Sequence, residues 1–198
     1  MRIFESWRSV LSPSPETDSK ESRHLTTINL FWAYVVPLAL ITPVMLSIVV
    51  REHEQQFIDI LPGDRLYILG FILFIAQICL VPLMAFLVKN TATMINIKPS
   101  FDDAFLVMAI SATPFFVVSV FYLVPSFAFN IVMHGVAAAA SSLLVYLGIK
   151  NVFNLQRRGA RIMLTMTVLS AAALGFGILL IGTLIVWEEI QIFQFAAS

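Results

Sequence analysis

Residues 104–149 read AFLVMAISATPFFVVSVFYLV (104–124), PSFAFN (125–130) and IVMHGVAAAASSLLVYLGI (131–149), two uncharged blocks joined by six residues. An α-helix needs about 20 apolar residues to cross roughly 30 Å of hydrocarbon. Six residues between two such helices leave room only for a tight hairpin, so the pair is expected to pack side by side. Working outward, the pattern recurs at Leu30–Val50, Leu66–Val88 and Ile162–Trp187, all free of Asp, Glu, Lys and Arg. The expected fold is therefore all-α, a polytopic membrane protein built as a five-helix transmembrane bundle.

Composition supports this reading. Of 198 residues, 59% are hydrophobic and 12% charged, more apolar surface than one soluble core of this length would bury. The mean hydropathy is +0.90. A formal net charge of zero argues against a nucleic-acid partner, which calls for a net basic surface. The single cysteine, Cys79, lies in an apolar block and excludes both a disulfide framework and a thiolate metal cluster within one chain.

The chain divides into three parts on this reading. Residues 1–29 form a cytoplasmic N-terminal segment, 30–187 the membrane domain, and 188–198 a short external tail. Ile3, Phe4, Trp7, Val10 and Leu11 recur at near-helical spacing before Pro13 and Pro15, which suggests a short amphipathic helix on the membrane surface. Ser12–Arg23 has the Ser, Pro, Glu and Lys content of a flexible tether. No small-residue cleavage site follows the first block, so that block is expected to be a permanent anchor.

Orientation follows from the basic residues. Arg2, Arg8, Lys20, Arg23, Lys89, Lys98, Lys150, Arg157, Arg158 and Arg161 flank one side of the five blocks, and only Arg51 and Arg65 flank the other. Cytoplasmic loops carry the excess of Lys and Arg, which puts the N-terminus inside and the C-terminus outside.

Proline falls inside the first three blocks at Pro37, Pro43, Pro82 and Pro114. Each lacks an N–H and should kink its helix, leaving the carbonyls of Ile78 and Ile110 without their usual donors. Ser111 and Thr113 beside Pro114, and Thr42 beside Pro43, are hydroxyls that can serve freed or neighbouring backbone groups. The last two blocks carry small residues four apart: Gly135 with Ala139, Ala137 with Ser141, Ala138 with Ser142, Ala171 with Gly175, Ala173 with Gly177. Such stripes are expected in the bundle interior, with a self-association seam as the alternative.

Candidate chemistry is sparse. His134 is the only ionisable group within a block, and the three His residues lack metal-ligand spacing. Gln77 reads as an interhelical hydrogen-bonding group. Ser100 and Asp103 stand three apart as a helix start signal. The loop Lys150–Arg161 holds Lys150, Arg157, Arg158 and Arg161 with no acid, a surface for anionic headgroups or for an acidic partner. No catalytic residue, metal or cofactor is expected.

Phe101, Asp102, Asp103, Ala104 and Phe105, leading through Ser111, Ala112, Thr113 and Pro114, resemble the third-span entrance of the Ypt-interacting protein (Yip) family. Leu143–Gly148 resembles that family's Tyr-x-x-Tyr-Leu-Gly element at the end of span four, with Leu143 in place of the first Tyr. The resemblance covers roughly residues 66–186 and marks Asp103, Ser111, Thr113, Pro114, Tyr146, Leu147 and Gly148 as motif residues. It implies five spans and a cytoplasmic N-terminus, and links eukaryotic relatives to Rab-type GTPases and endoplasmic reticulum–Golgi traffic. Their Asp-Leu-Tyr-Gly-Pro element is missing here, which argues against GTPase binding and for similarity to the bacterial inner-membrane branch. The expected role is a non-enzymatic scaffold or adaptor. Its expected partners are membrane lipids and a second copy or another membrane protein. The alternatives are a small transporter, channel or lipid-moving protein built on proline-kinked spans, and a trafficking factor in Golgi or endoplasmic reticulum membranes.

Overall fold

Hydrocarbon offers backbone amides no hydrogen-bond partner, so an apolar chain in lipid must satisfy its own N–H and C=O groups. The computed structural model of the chain does so by helices. It describes residues 2–11, 27–52, 63–124, 126–175 and 177, and among them there is no strand. We label the helices α1 (Arg2–Leu11), α2 (Thr27–Val49), α3 (Gly63–Met94), α4 (Phe101–Leu123), α5 (Phe127–Asn151) and α6 (158–175).

Four of these contain stretches long and apolar enough to cross a membrane: Thr27–Val49, Gly70–Met94, Phe101–Leu123 and Ala128–Asn151. The chain is thus a multi-pass helical membrane protein. The fifth block, 162–187, is helical at 162–175 and at 177 and otherwise lies outside the described residues, as does the tail 188–198.

Helix α4 is the hub. Of its apolar window 56% is buried, against 22%, 22% and 28% in α2, α3 and α5. Phe105 on α4 is 1% exposed and meets the rings of Phe31 and Phe101 at 6.4 and 6.1 Å between centroids. Around it pack Val35 and Ala39 of α2, Ala85 and Val88 of α3, Ile149 of α5 and Leu164 of α6. Lipid tails are as apolar as these side chains, so burial alone does not hold the helices together; close van der Waals contact and interhelical hydrogen bonds do.

Three of the four prolines are accommodated differently. Before Pro37, α2 widens into a π-helical turn at Phe31–Val35, where the Val36 N–H reaches back to the Phe31 carbonyl. After Pro114, α4 tightens into a 3-10 helix over Val118–Leu123. Helix α3 stays α-helical through Pro82.

Connections are closed by local chemistry. Asn96 takes a left-handed φ of 61° after α3, while the Ile97 and Asn96 N–H groups bond the carbonyls of Ala92 and Thr93 at 3.0 and 3.1 Å. This is a Schellman closure, with Asn where Gly is commonest. Between α4 and α5, Asn130 donates to the carbonyls of Val124 and Ser126, both at 3.1 Å, and fastens the short hairpin. Tyr122 and His134 close the same end: His134 Nδ1 lies 2.8 Å from the Asn130 carbonyl and Nε2 lies 3.1 Å from the Tyr122 hydroxyl.

Helix α1 is more than a surface float. Val10 is fully buried against Ile110 of α4 and Leu144 of α5, and Trp7 is half-buried beside them. Phe4, Arg8 and Leu11 face outward.

Candidate functional site

The residues singled out by sequence lie along the α4–α5 seam and at the bundle end where α1 docks. The structure spreads them along about 15 Å of α4, from Asp103 to Thr113, and does not gather them in one pocket.

Helix α4 starts with a capping box. Ser100 Oγ accepts from the Asp103 N–H at 3.0 Å, and the Asp103 carboxylate accepts from the Ser100 N–H at 3.3 Å. Beside it, the Thr27 hydroxyl donates to the Asp102 carboxylate, tying the start of α2 to the start of α4. Replacing Ser100 with alanine removes an acceptor from the exposed first turn. We expect S100A to lower stability by about 1 kcal/mol, read as a drop in melting midpoint of the detergent-extracted protein.

One turn of α4 around Ser111 carries two interhelical bonds. Ser141 Oγ on α5 donates to the Ser111 carbonyl at 2.5 Å, next to the Ile110 carbonyl that Pro114 deprives of its donor. Thr113 Oγ1 lies 2.7 Å from the Tyr34 hydroxyl on α2, and Trp7 Nε1 on α1 donates to that same hydroxyl at 3.0 Å. Trp7, Tyr34 and Thr113 thus form a bonded chain across three helices. Asn151 Nδ2, at the end of α5, completes the docking of α1 by donating to the Val10 carbonyl at 2.6 Å.

Further along the seam, Gly148 sits against Val107. A Cβ built on Gly148 would lie 2.6 and 3.0 Å from the two Val107 methyl groups, the first closer than real contacts allow and the second tighter than most. Tyr146, two residues earlier, lies under the Arg161 guanidinium, 4.5 Å from ring centroid to Cζ. Leu147 is half-buried; Lys150 is half-buried in the last turn of α5, and Arg157 and Arg158 are exposed before and at the start of α6.

A second polar cluster lies deeper, away from the motif residues. Thr42 of α2 and Ser119 of α4 share a hydrogen bond of 2.8 Å, and Gln77 Nε2 of α3 donates to Thr42 at 3.1 Å. Three helices are cross-linked there, while Gln77 Oε1 is buried without a partner.

Of the small-residue pairs, Ala137 with Ser141 faces α4, whereas Gly135 and Ala139 are exposed on the outer side of α5. Gly175 faces Leu80 of α3. Among the described residues, no group of His, Cys, Asp and Glu could hold a metal ion.

Sequence reasoning missed Tyr34, Ser119 and Asn151 as bundle-tying residues. Tyr34 and Ser119 are the kind of polar group in an apolar block that Gln77 is, and that signal could have marked them. Asn151 and the docked face of Trp7 and Val10 carry no local signal, because a helix cannot declare from its own pattern which apolar face meets protein and which meets lipid.

Comparison with curated proteins gives no match, and neither does comparison with solved structures. Comparison with protein families does: the model described as the Yip1 domain matches residues 7–187, from Trp7 in α1 through the last apolar block. The match takes in α1 from Trp7 onward as well as the membrane helices, and by it this chain belongs to the Yip1 domain family.

Proposed function

We propose that this Yip-type integral membrane protein is a non-enzymatic scaffold or adaptor with five spans, its N-terminus and the basic loops in the cytoplasm and residues 188–198 outside. One observation carries the reading. The polar side chains at depth bind one another across helices, as Trp7–Tyr34–Thr113, Thr42–Ser119–Gln77 and Ser141 on the Ser111 carbonyl do. Groups used in this way hold a bundle in one arrangement and present its ends, and leave little polar surface to line a path. The bias of ten basic residues against two supports the orientation, and the uncharged block 162–187 supports the fifth span. We place the protein in the bacterial cytoplasmic membrane on its resemblance to the bacterial members. Its partner is a second copy or another membrane protein.

A small carrier is the second reading, favoured by the unpartnered Gln77 Oε1, whose amide nitrogen bonds Thr42 next to Pro43 in the chain. Photocrosslinking from Gln156, exposed in the α5–α6 loop, separates the two. A scaffold gives one discrete adduct in native membranes and leaves reconstituted vesicles impermeable to small solutes. Flux through those vesicles, abolished by Q77L, with no adduct would establish the carrier instead.

A further inference from the structure

Positive charge gathers where α5 ends and α6 begins. Tyr146 and Lys150 stand four apart on one face of α5. Arg161, one turn into α6, holds its guanidinium over the Tyr146 ring, and Arg157 and Arg158 occupy the turn before it. Residues 150–161 contain no acid, and the acids that open α4 are committed to Thr27 and to the capping box. The Arg161 Nε is buried with no hydrogen-bond partner.

The backbone adds to this. The Arg161 N–H bonds the Arg157 carbonyl at 3.0 Å, so the N–H groups of Arg158, Gly159 and Ala160 open the helix and have no donor role within it. Gly159 stands in open space, with nothing within 4 Å of a Cβ built on it. An anion approaching there meets the positive end of α6 as well as the arginines.

A topology signal requires basic residues on this side of the membrane. It does not require one of them pinned on an aromatic ring with an unpaired donor. Nor does it require the outer face of α6, where Arg158, Ile162 and Met166 lie at i, i+4 and i+8, with Ile162 40% and Met166 60% exposed. A charged end continuous with an exposed apolar track matches a headgroup joined to an acyl chain.

We infer that the surface where α5 ends and α6 begins binds the phosphate of an anionic phospholipid, with Arg158 and Arg161 on the headgroup and a chain along Ile162 and Met166. Tyr146 is a positioning residue that holds Arg161 by a cation–π contact. This goes beyond the scaffold reading and does not depend on it.

The test uses the full chain in a neutral detergent, with the melting midpoint followed as lipid is added. Saturating phosphatidylglycerol should raise the midpoint by about 5 °C, while phosphatidylcholine and inorganic phosphate should leave it unmoved. R158Q/R161Q should lose that rise, measured against its own midpoint in phosphatidylcholine; K89Q/K98Q, in another loop, should keep the rise. Y146L should lose it and Y146F retain it, which a purely structural tyrosine would not do. An equal rise with phosphatidylcholine, or a rise that survives in R158Q/R161Q, overturns the proposal. A rise reproduced by inorganic phosphate overturns the lipid assignment. Native mass spectrometry of the wild-type protein from mixed micelles needs no variant: selective retention of phosphatidylglycerol supports the site, and equal retention of both lipids refutes it.

Discussion

Replacing Gly148 with leucine should destabilise the bundle by about 3 kcal/mol, the upper range for overpacking a well-filled contact. The cause is local and rigid. A Cβ at Gly148 would come within 2.6 Å of a methyl group of Val107, which is itself 0% exposed. Valine in a helix has essentially one χ1 rotamer, so the methyl cannot swing aside and the two helices must separate. G148A should cost less, about 1.5 kcal/mol, and V107A in the same chain should recover most of that by removing both clashing methyls. Melting of the detergent-extracted protein reads all three variants. An unchanged profile for G148L would show that α4 and α5 do not approach as described.

That contact shows how much a sequence of this kind discloses. The uncharged blocks announce helices because charge is costly in hydrocarbon, and the hairpin of α4 and α5 follows from six connecting residues. Ends are read less well. Helix α3 runs past Lys89 to Met94, since a lysine near a helix end can extend its ammonium to the interface and need not stop the helix. Facing is read least well. Both Gly135/Ala139 and Ala137/Ser141 form small stripes on α5, yet only Ala137 and Ser141 face α4. The exposed and buried stripes look alike because lipid and protein interior are equally apolar. Within the site, the capping role of Ser100 and Asp103 is local and legible, whereas the Ser141 bond to the Ser111 carbonyl requires knowing which helices meet.

Trp7→Ala should release α1 from the bundle. The indole of Trp7 packs beside Val10 and donates to Tyr34, whose hydroxyl in turn meets Thr113. Truncating a packed tryptophan costs about 3 kcal/mol at the low end, a factor of about 100 in the docked population. The loss is confined to α1, so the melting midpoint of the membrane helices should change little while tryptic cleavage at the exposed Arg8 rises steeply. W7F keeps the ring and loses only the hydrogen bond, with an expected cost of about 1 kcal/mol. Equal cleavage in wild type and W7A would mean that α1 is not held by this contact.

The proposed placement of the two chain ends on opposite faces is tested most directly by thiol labelling in intact cells. With the native cysteine removed by C79S, single cysteines are placed at Ser198 and at Gln156, and cells are treated with a maleimide that does not cross membranes. Five spans with a cytoplasmic N-terminus require S198C to react at once and Q156C to react only after the cells are opened. A silent S198C, or a reactive Q156C, in unbroken cells would contradict the topology.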